Sequence, residues 1–247
     1  MKIKADFHIH SCSSPECDAF LTPKTIVSRL VQKGVKLAAL TDLNTGANLP
    51  AFNFLCKQEG IHPLFGIEAQ TAEEVRILVI FNNMETAFEL GQIWYNLLPN
   101  ISNLPEEKGF QYYVNEDGSI IGELRKYLAA SCPITLQELV EQALQNKALL
   151  IPCNIDIFPF FEKIRGGPLE NFKWDAVLVS SKNHIEECKK KYGISCPILT
   201  SSNARLADEI ANETVDTDIG NLSMTDSLGL TSIESVKAGL NSVCIKA

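Results

Sequence analysis

Short apolar runs alternate with helix-like segments along most of this 247-residue chain, and that alternation limits the folds open to it. Residues 3–8 suit a strand. Thr22, followed by Pro23, opens a helix reaching about Gly34. Val35–Thr41 is the next apolar run, and a second helix over about 48–59 closes at Gly60. His62–Gly66 and Val75–Phe81 read as strands, and a helix fits about 84–97. Between 110 and 122 the pattern is that of a hairpin turning at Asp117-Gly118. Thr135, with Glu138 three residues on, has the form of a capping box. Ala148–Cys153, Ala176–Ser180 and Pro197–Ser201 add three strands, with helices over about 184–192 and 232–240. Strands of about five residues separated by helices predict an α/β fold with a parallel sheet, as a barrel or a doubly wound sheet. The glycine fingerprints of dinucleotide sites and P-loops are absent, which turns the choice away from a nucleotide-binding open sheet.

Composition narrows the partners. Lys and Arg number 22 against 30 Asp and Glu, a formal net charge of −8. An acidic chain without a dense basic run is poorly suited to nonspecific contact with nucleic acid or an anionic membrane. Lys189–Lys191 is balanced by Glu186 and Glu187, so the helix beginning at His184 reads as a solvated face. No apolar run approaches the ~18 residues of a membrane span, and the N-terminus lacks the apolar stretch of a signal peptide. The expectation is a cytoplasmic protein. The eight cysteines are scattered without a C-x-x-C pair, so they read as thiols rather than as a zinc ribbon or a disulfide framework.

The chemistry-bearing residues fall at strand ends. His8 and His10 flank one residue at the end of the first strand, and positions i and i+2 of a strand share a face, so both imidazoles can reach one ion. Asp18, Asp42 and Glu68 follow near the ends of successive elements, the edge on which α/β barrels build their sites. Cys12, Cys17 and Cys153 lie close in sequence to that edge and read either as core filler or as a thiolate ligand or nucleophile.

Asp6-Phe-His-Ile-His10, Asp18, Leu40-Thr-Asp-Leu-Asn44 and Gly66-Ile-Glu68 together resemble the PHP (polymerase and histidinol phosphatase) family. The likeness continues through Ala69–Val79, Leu150–Asp156 and Thr200–Arg205, in order, over about residues 1–210. The resemblance implies a distorted seven-stranded (β/α)7 TIM-like barrel over 1–210, with a hairpin insertion at about 100–132. Residues 211–247 then form a C-terminal appendage packed on it. It also implies a pocket that, in active members, holds two or three divalent ions and hydrolyses phosphoesters. Laid on this chain, the family's ligand positions are 8, 10, 18, 43, 68, 76, 154, 203 and 205. One ion belongs to His8, His10, Glu68 and Asn203, a second to Glu68, Arg76 and Asn154, and a third to Asp18, Leu43 and Arg205.

Five of those positions depart from the pattern. Leu43, Arg76, Asn154 and Arg205 stand where His is expected, and Asn203 where Asp is expected. Leu has no donor atom, Arg keeps its proton, and Asn is a weak neutral ligand. Only His8, His10 and Glu68 remain as a set sufficient for one zinc or manganese ion. The chain therefore reads as a PHP-like protein whose metal centre is largely lost, with hydrolysis weak or absent. Its old pocket is open to a phosphate-bearing small molecule held by Arg76, Asn154, Asn203 and Arg205. Against this stand two alternatives. One is a single-metal phosphoesterase with Asp18 or Asp42 as proton acceptor. The other is a purely compensating role, in which both arginines neutralise Asp18, Asp42, Glu68 or Asp156.

Overall fold

The structure, a computed structural model, describes residues 2–244. β1 (Lys2–Ile9), β2 (Leu37–Leu43) and β3 (His62–Gln70) are parallel neighbours, joined by α1 (Pro23–Gln32) and α2 (Leu49–Glu59). Both crossovers have the ends expected of them. The Thr22 side chain accepts a hydrogen bond from Thr25 N, and Gly60 takes the left-handed φ of 66° that closes α2.

The parallel pattern then breaks. β4 (Arg76–Phe81) runs antiparallel to β3, and β7 (Leu149–Pro152) runs antiparallel to β4. The cause is the length of residues 71–75. A turn closed by Thr71 N to Val75 O at 3.0 Å and Glu74 N to Thr71 O at 2.9 Å is far too short for a crossover helix, so the chain must reverse. Between β4 and β7 lie α3 (Met84–Leu97), α4 (Pro105–Lys108), the strands β5 (Tyr112–Val114) and β6 (Ile120–Glu123), and α5 (Leu136–Gln145). β5 and β6 pair antiparallel, with Gly118 at φ 85° in their turn. Thr135 and Glu138 form the reciprocal capping box at the start of α5.

After β7 come α6 (Phe160–Ile164), β8 (Val177–Leu178), α7 (Ile185–Tyr192), β9 (Ile198–Leu199), β10 (Val215–Asp218) and α8 (Ile233–Cys244). The continuous ladder has six strands in the order β10-β1-β2-β3-β4-β7, and β8 and β9 form a separate parallel pair. That pair meets the ladder through Ile155 N to Leu178 O at 3.0 Å on one side and a bridge from Ala204 to Ile9 on the other. The sheet is thus a curled, mixed half-barrel. It corrects the expectation of an all-parallel sheet, and its ladder is not the continuous seven-stranded one. The C-terminal stretch expected from 211 onward places β10 antiparallel against β1, and residues 245–247 lie outside those described.

Two apolar layers sandwich the sheet. Ala38, Leu40, Phe65, Ile67, Ile77 and Val79 pack under α1, α2, α3 and α5. Ala39, Leu64, Leu78, Ile80, Leu149, Ile151 and Cys153 form the inner layer, covered by Val236 and Leu240 of α8. This period of two decides which side chains face the pocket.

Candidate active site

On β1 the inward face changes parity. Ile3, Ala5 and Phe7 belong to the inner layer, but Ile9 belongs to the outer one. The register explains it: Asp6 pairs with Ala38 and Ile9 with Leu40, so β1 carries one extra residue between them. Such a bulge re-aims the side chains beyond it, and here it turns His8 and His10 inward above Phe7. Asp6 holds the bulge in place. It is fully buried, and its oxygens accept from His8 N at 3.4 Å, Ser202 N at 3.2 Å and Ala211 N at 3.2 Å.

Glu68 shares the inner face of β3 with Leu64. Beneath it, Gly66 is obligatory: a Cβ there would lie 2.5 Å from Thr41 Cγ2 and 3.1 Å from Ile80 Cγ1. Glu68 Oε2 stands 3.5 Å from His8 Nε2 and 3.3 Å from His10 Nε2, while Oε1 faces Arg76 Nη1 at 3.6 Å. All three of His8, His10 and Glu68 are buried.

The tautomer of His10 follows from its neighbours. Ser14 Oγ donates its single proton to Asp42 Oδ1 at 2.7 Å and accepts from Leu43 N at 3.0 Å. Toward His10 Nδ1, 3.0 Å away, it can only accept. The ring proton therefore sits on Nδ1, and the Nε2 lone pair has its donor in Arg205 Nη2 at 3.5 Å, with Glu68 Oε2 at 3.3 Å and the Asn203 side-chain amide at 3.1 Å beside it. Burial depresses the His10 imidazole to about 4, with Arg205 and His8 adding to it against the pull of Glu68, so it is neutral at pH 7. A hydrogen-bonded outer partner that fixes the free nitrogen is the usual support of a metal-binding histidine.

Asp42 lies on the opposite parity from Leu43, in line with Ala38 and Leu40, and its oxygens are spent on holding the loop after β1. They accept from Ser11 N and Ser11 Oγ, both at 2.6 Å, as well as from Ser14. Asp18 is partly exposed on that loop and accepts from Phe20 N at 2.9 Å. Leu43 fills its place as an apolar side chain, 2% exposed.

The two arginines behave differently. β4 runs reversed, so its first residue, Arg76, reaches the edge where β1 and β3 end. It lies 3.0 Å from Gln70 Oε1 through Nε, 4.8 Å above the Phe158 ring, and against Glu68. Arg205 donates to Pro15 O at 2.8 Å and touches Cys17 Sγ at 3.8 Å and His10. Among the described residues no carboxylate lies within 4.0 Å of its guanidinium. Compensation thus accounts for Arg76 and leaves Arg205 without an acid at contact. Asn154 and Asn203 both have left-handed backbones, at φ 44° and 46°, which Asn tolerates better than most residues. Asn203 reaches His10, and Asn154 is buried at the end of the β7 segment.

The inner parity of β7 adds a residue that the strand-end pattern left open. One donor atom each from His8, Glu68 and Cys153 lie within 4.8 Å of one another. Both ring nitrogens of His8 and Glu68 Oε2 are buried without a hydrogen-bond partner. A buried polar atom left without a partner costs about 1–3 kcal/mol; one His8 nitrogen carries a proton, and the other offers a lone pair beside that of Glu68 Oε2. They fit one divalent ion. The second and third ion positions do not fit, because Arg76, Leu43 and Arg205 offer no lone pair there. His184 is not simply solvated. Its Nδ1 lies 2.6 Å from Asp156 Oδ2, and Ser180 N and Oγ also bind Asp156.

The site is thus a buried His-x-His on the first strand of a half-barrel, faced by a glutamate on the third. The PHP domain model matches residues 6–146, more than half of the chain, and this chain belongs to that family. Among curated proteins none matches by sequence. Similar solved structures include the lesion-specific endonuclease PfuEndoQ from Pyrococcus furiosus. It is 15% identical, with a TM-score of 0.62, over 98% of this chain and 56% of that one. An endonuclease Q complex with a 27-mer duplex carrying an abasic lesion is 18% identical, with a TM-score of 0.64, over 98% and 57%. A two-domain protein from Bacteroides vulgatus containing a predicted PHP-like metal-dependent phosphoesterase is 13% identical, with a TM-score of 0.52, over 98% and 63%. This chain therefore spans a little over half the length of the endonuclease Q chains it matches. Among the described residues no helix is long and apolar enough to cross a membrane.

Proposed function

We propose that this PHP-family protein has given up multi-metal phosphoester hydrolysis and binds a phosphate-bearing small molecule in the old pocket. The observation that carries this reading is Arg205. Its guanidinium stands 3.5 Å from His10, and among the described residues no carboxylate lies within 4.0 Å of it, so a bound anion would supply a partner charge. Arg76, 22% exposed, offers the second guanidinium from the reversed strand. Planar guanidinium groups suit phosphate because they bind it in a bidentate fashion. Asn154 and Asn203 would add neutral donors. Duplex nucleic acid is disfavoured as the ligand by the net charge of −8, and a cytoplasmic setting goes with the reading.

Thermal-shift and calorimetric titration with inorganic phosphate and pyrophosphate test it. The expectation is stabilisation of the wild type and a roughly 10–100-fold weaker affinity in Arg205→Gln, the worth of one charge-assisted hydrogen bond. Wild-type protein indifferent to both anions would end the proposal.

A second reading is favoured by the orphaned atoms of His8 and Glu68: a single-metal phosphoesterase. His8, His10 and Glu68 would hold the ion, which when bound would lower the pKa of a water molecule. Asp18 would accept the proton, since the Asp42 oxygens are engaged. Zinc- or manganese-dependent turnover of p-nitrophenyl phosphate, lost in Glu68→Gln, would establish this second reading over the first.

A further inference from the structure

We propose that Cys153 is a metal ligand: its thiolate, one imidazole nitrogen of His8 and a carboxylate oxygen of Glu68 form a three-donor site for a single zinc-type ion. This goes further than the single-metal reading, because position 153 is not among the ligand positions that the PHP resemblance implies. It also stands independently of the anion proposal.

Four features converge on it. The alternation of β7 puts Cys153 on the same inner face as Leu149 and Ile151, directed at the end of β3 where Glu68 stands. The three donors come within 4.8 Å of one another. His8 and Glu68 are each only 1% exposed and Cys153 is 0% exposed, so the donors are shielded from bulk solvent. Finally, the atoms that would be ligands are those left unsatisfied. His8 lacks a partner at both nitrogens and Glu68 lacks one at Oε2. The Cys153 thiol makes only a long contact, 3.8 Å, to Ile151 O.

Glu68 can serve an ion and Arg76 together because they use different oxygens, Oε2 and Oε1. Where the family pattern takes its next donor at position 154, the left-handed backbone of Asn154 follows a residue whose sulfur already faces the site. Binding replaces the thiol proton, which leaves to solvent as the sulfur–metal bond forms. A site with one thiolate, one imidazole and one carboxylate selects zinc or cobalt over magnesium.

The test uses the full chain, stripped with a chelator and titrated with cobalt(II). The expected result is saturation at a single equivalent with a thiolate-to-cobalt charge-transfer band in the near ultraviolet. Cys153→Ser and Cys153→Ala should abolish that band and weaken zinc affinity by at least about tenfold, the scale on which even outer-shell losses act. Cys188→Ser, in α7, should change neither. A measurement without any variant accompanies it: X-ray absorption of the zinc-loaded wild type, with one sulfur expected at about 2.3 Å. A shell of nitrogen and oxygen only, a charge-transfer band that survives both Cys153 variants, or no cobalt uptake at all would each overturn the proposal. Phosphate affinity does not enter any of these readouts, so this inference and the anion reading fail separately.

Discussion

Asp42→Ala will lower the unfolding free energy by about 3–5 kcal/mol, a drop in melting temperature of about 6–20 °C for a chain of this size. The carboxylate is 1% exposed and is the acceptor for Ser11 N, Ser11 Oγ and Ser14 Oγ. The two hydroxyls can turn to other acceptors, but the Ser11 amide cannot. Its desolvation is then uncompensated, and the loop after β1 loses its anchor to β2. Asp42→Asn, which keeps an acceptor for the amide, should lose clearly less. Denaturant titration of the three proteins checks the order, and an alanine variant within about 1 kcal/mol of wild type would contradict it. A second consequence concerns His10. Freed from Asp42, the Ser14 hydroxyl can donate to His10 Nδ1, which would move the ring proton to Nε2, facing Glu68 Oε2 at 3.3 Å, and remove the lone pair that an ion would need. Asp42 is on this account a positioning residue. The imidazole 15N shifts of chelator-treated protein report the tautomer and would not move if Asp42 served packing alone.

The second large effect is on acid stability. The His10 imidazole, ordinarily near 6.5, is depressed to about 4 by burial, so it stays neutral in the folded chain while the unfolded chain takes up a proton. Below 6.5 the unfolded state therefore binds more protons. Stability of the chelator-treated protein should fall as pH drops from about 6.5 to about 4, by up to about 1.4 kcal/mol per pH unit and about 3 kcal/mol in all, then level off for this group. It should be fully present above 6.5. His10→Gln should flatten that window. A wild-type profile level between pH 6.5 and 4.5, or a His10→Gln profile as steep as wild type, would show that the acid sensitivity lies elsewhere.

Much of the local structure was readable from spacing. The capping box at Thr135, the left-handed close at Gly60 and the turn at Asp117-Gly118 all depend on residues within a few positions of one another, and all are in place. So is the family membership, whose match over residues 6–146 takes in the motifs around His8, Asp42 and Glu68. The direction of β4 is not legible in apolar periodicity, which looks the same in parallel and antiparallel strands. The five residues before it were the available signal. Cys153 was one of several cysteines near the pocket, and only the parity of β7 separates it from Cys12 and Cys17. Nothing in the charged helix beginning at His184 announces that its imidazole meets Asp156 from 28 residues earlier.

The order of elements, their ends and the residue types available to the pocket were thus settled along the chain, since propensity, capping and turn chemistry act over a few residues. Which of those side chains share a space was settled by folding. One extra residue in β1 turned His8 and His10 inward, and one short turn brought Arg76 to Glu68. Strand register set Cys153 opposite both, and loop packing left Arg205 with no carboxylate within 4.0 Å among the described residues. These are contacts between strands up to about 200 residues apart in a chain where a shift of a single residue exchanges the two faces of a sheet, so spacing in the sequence carries no record of them.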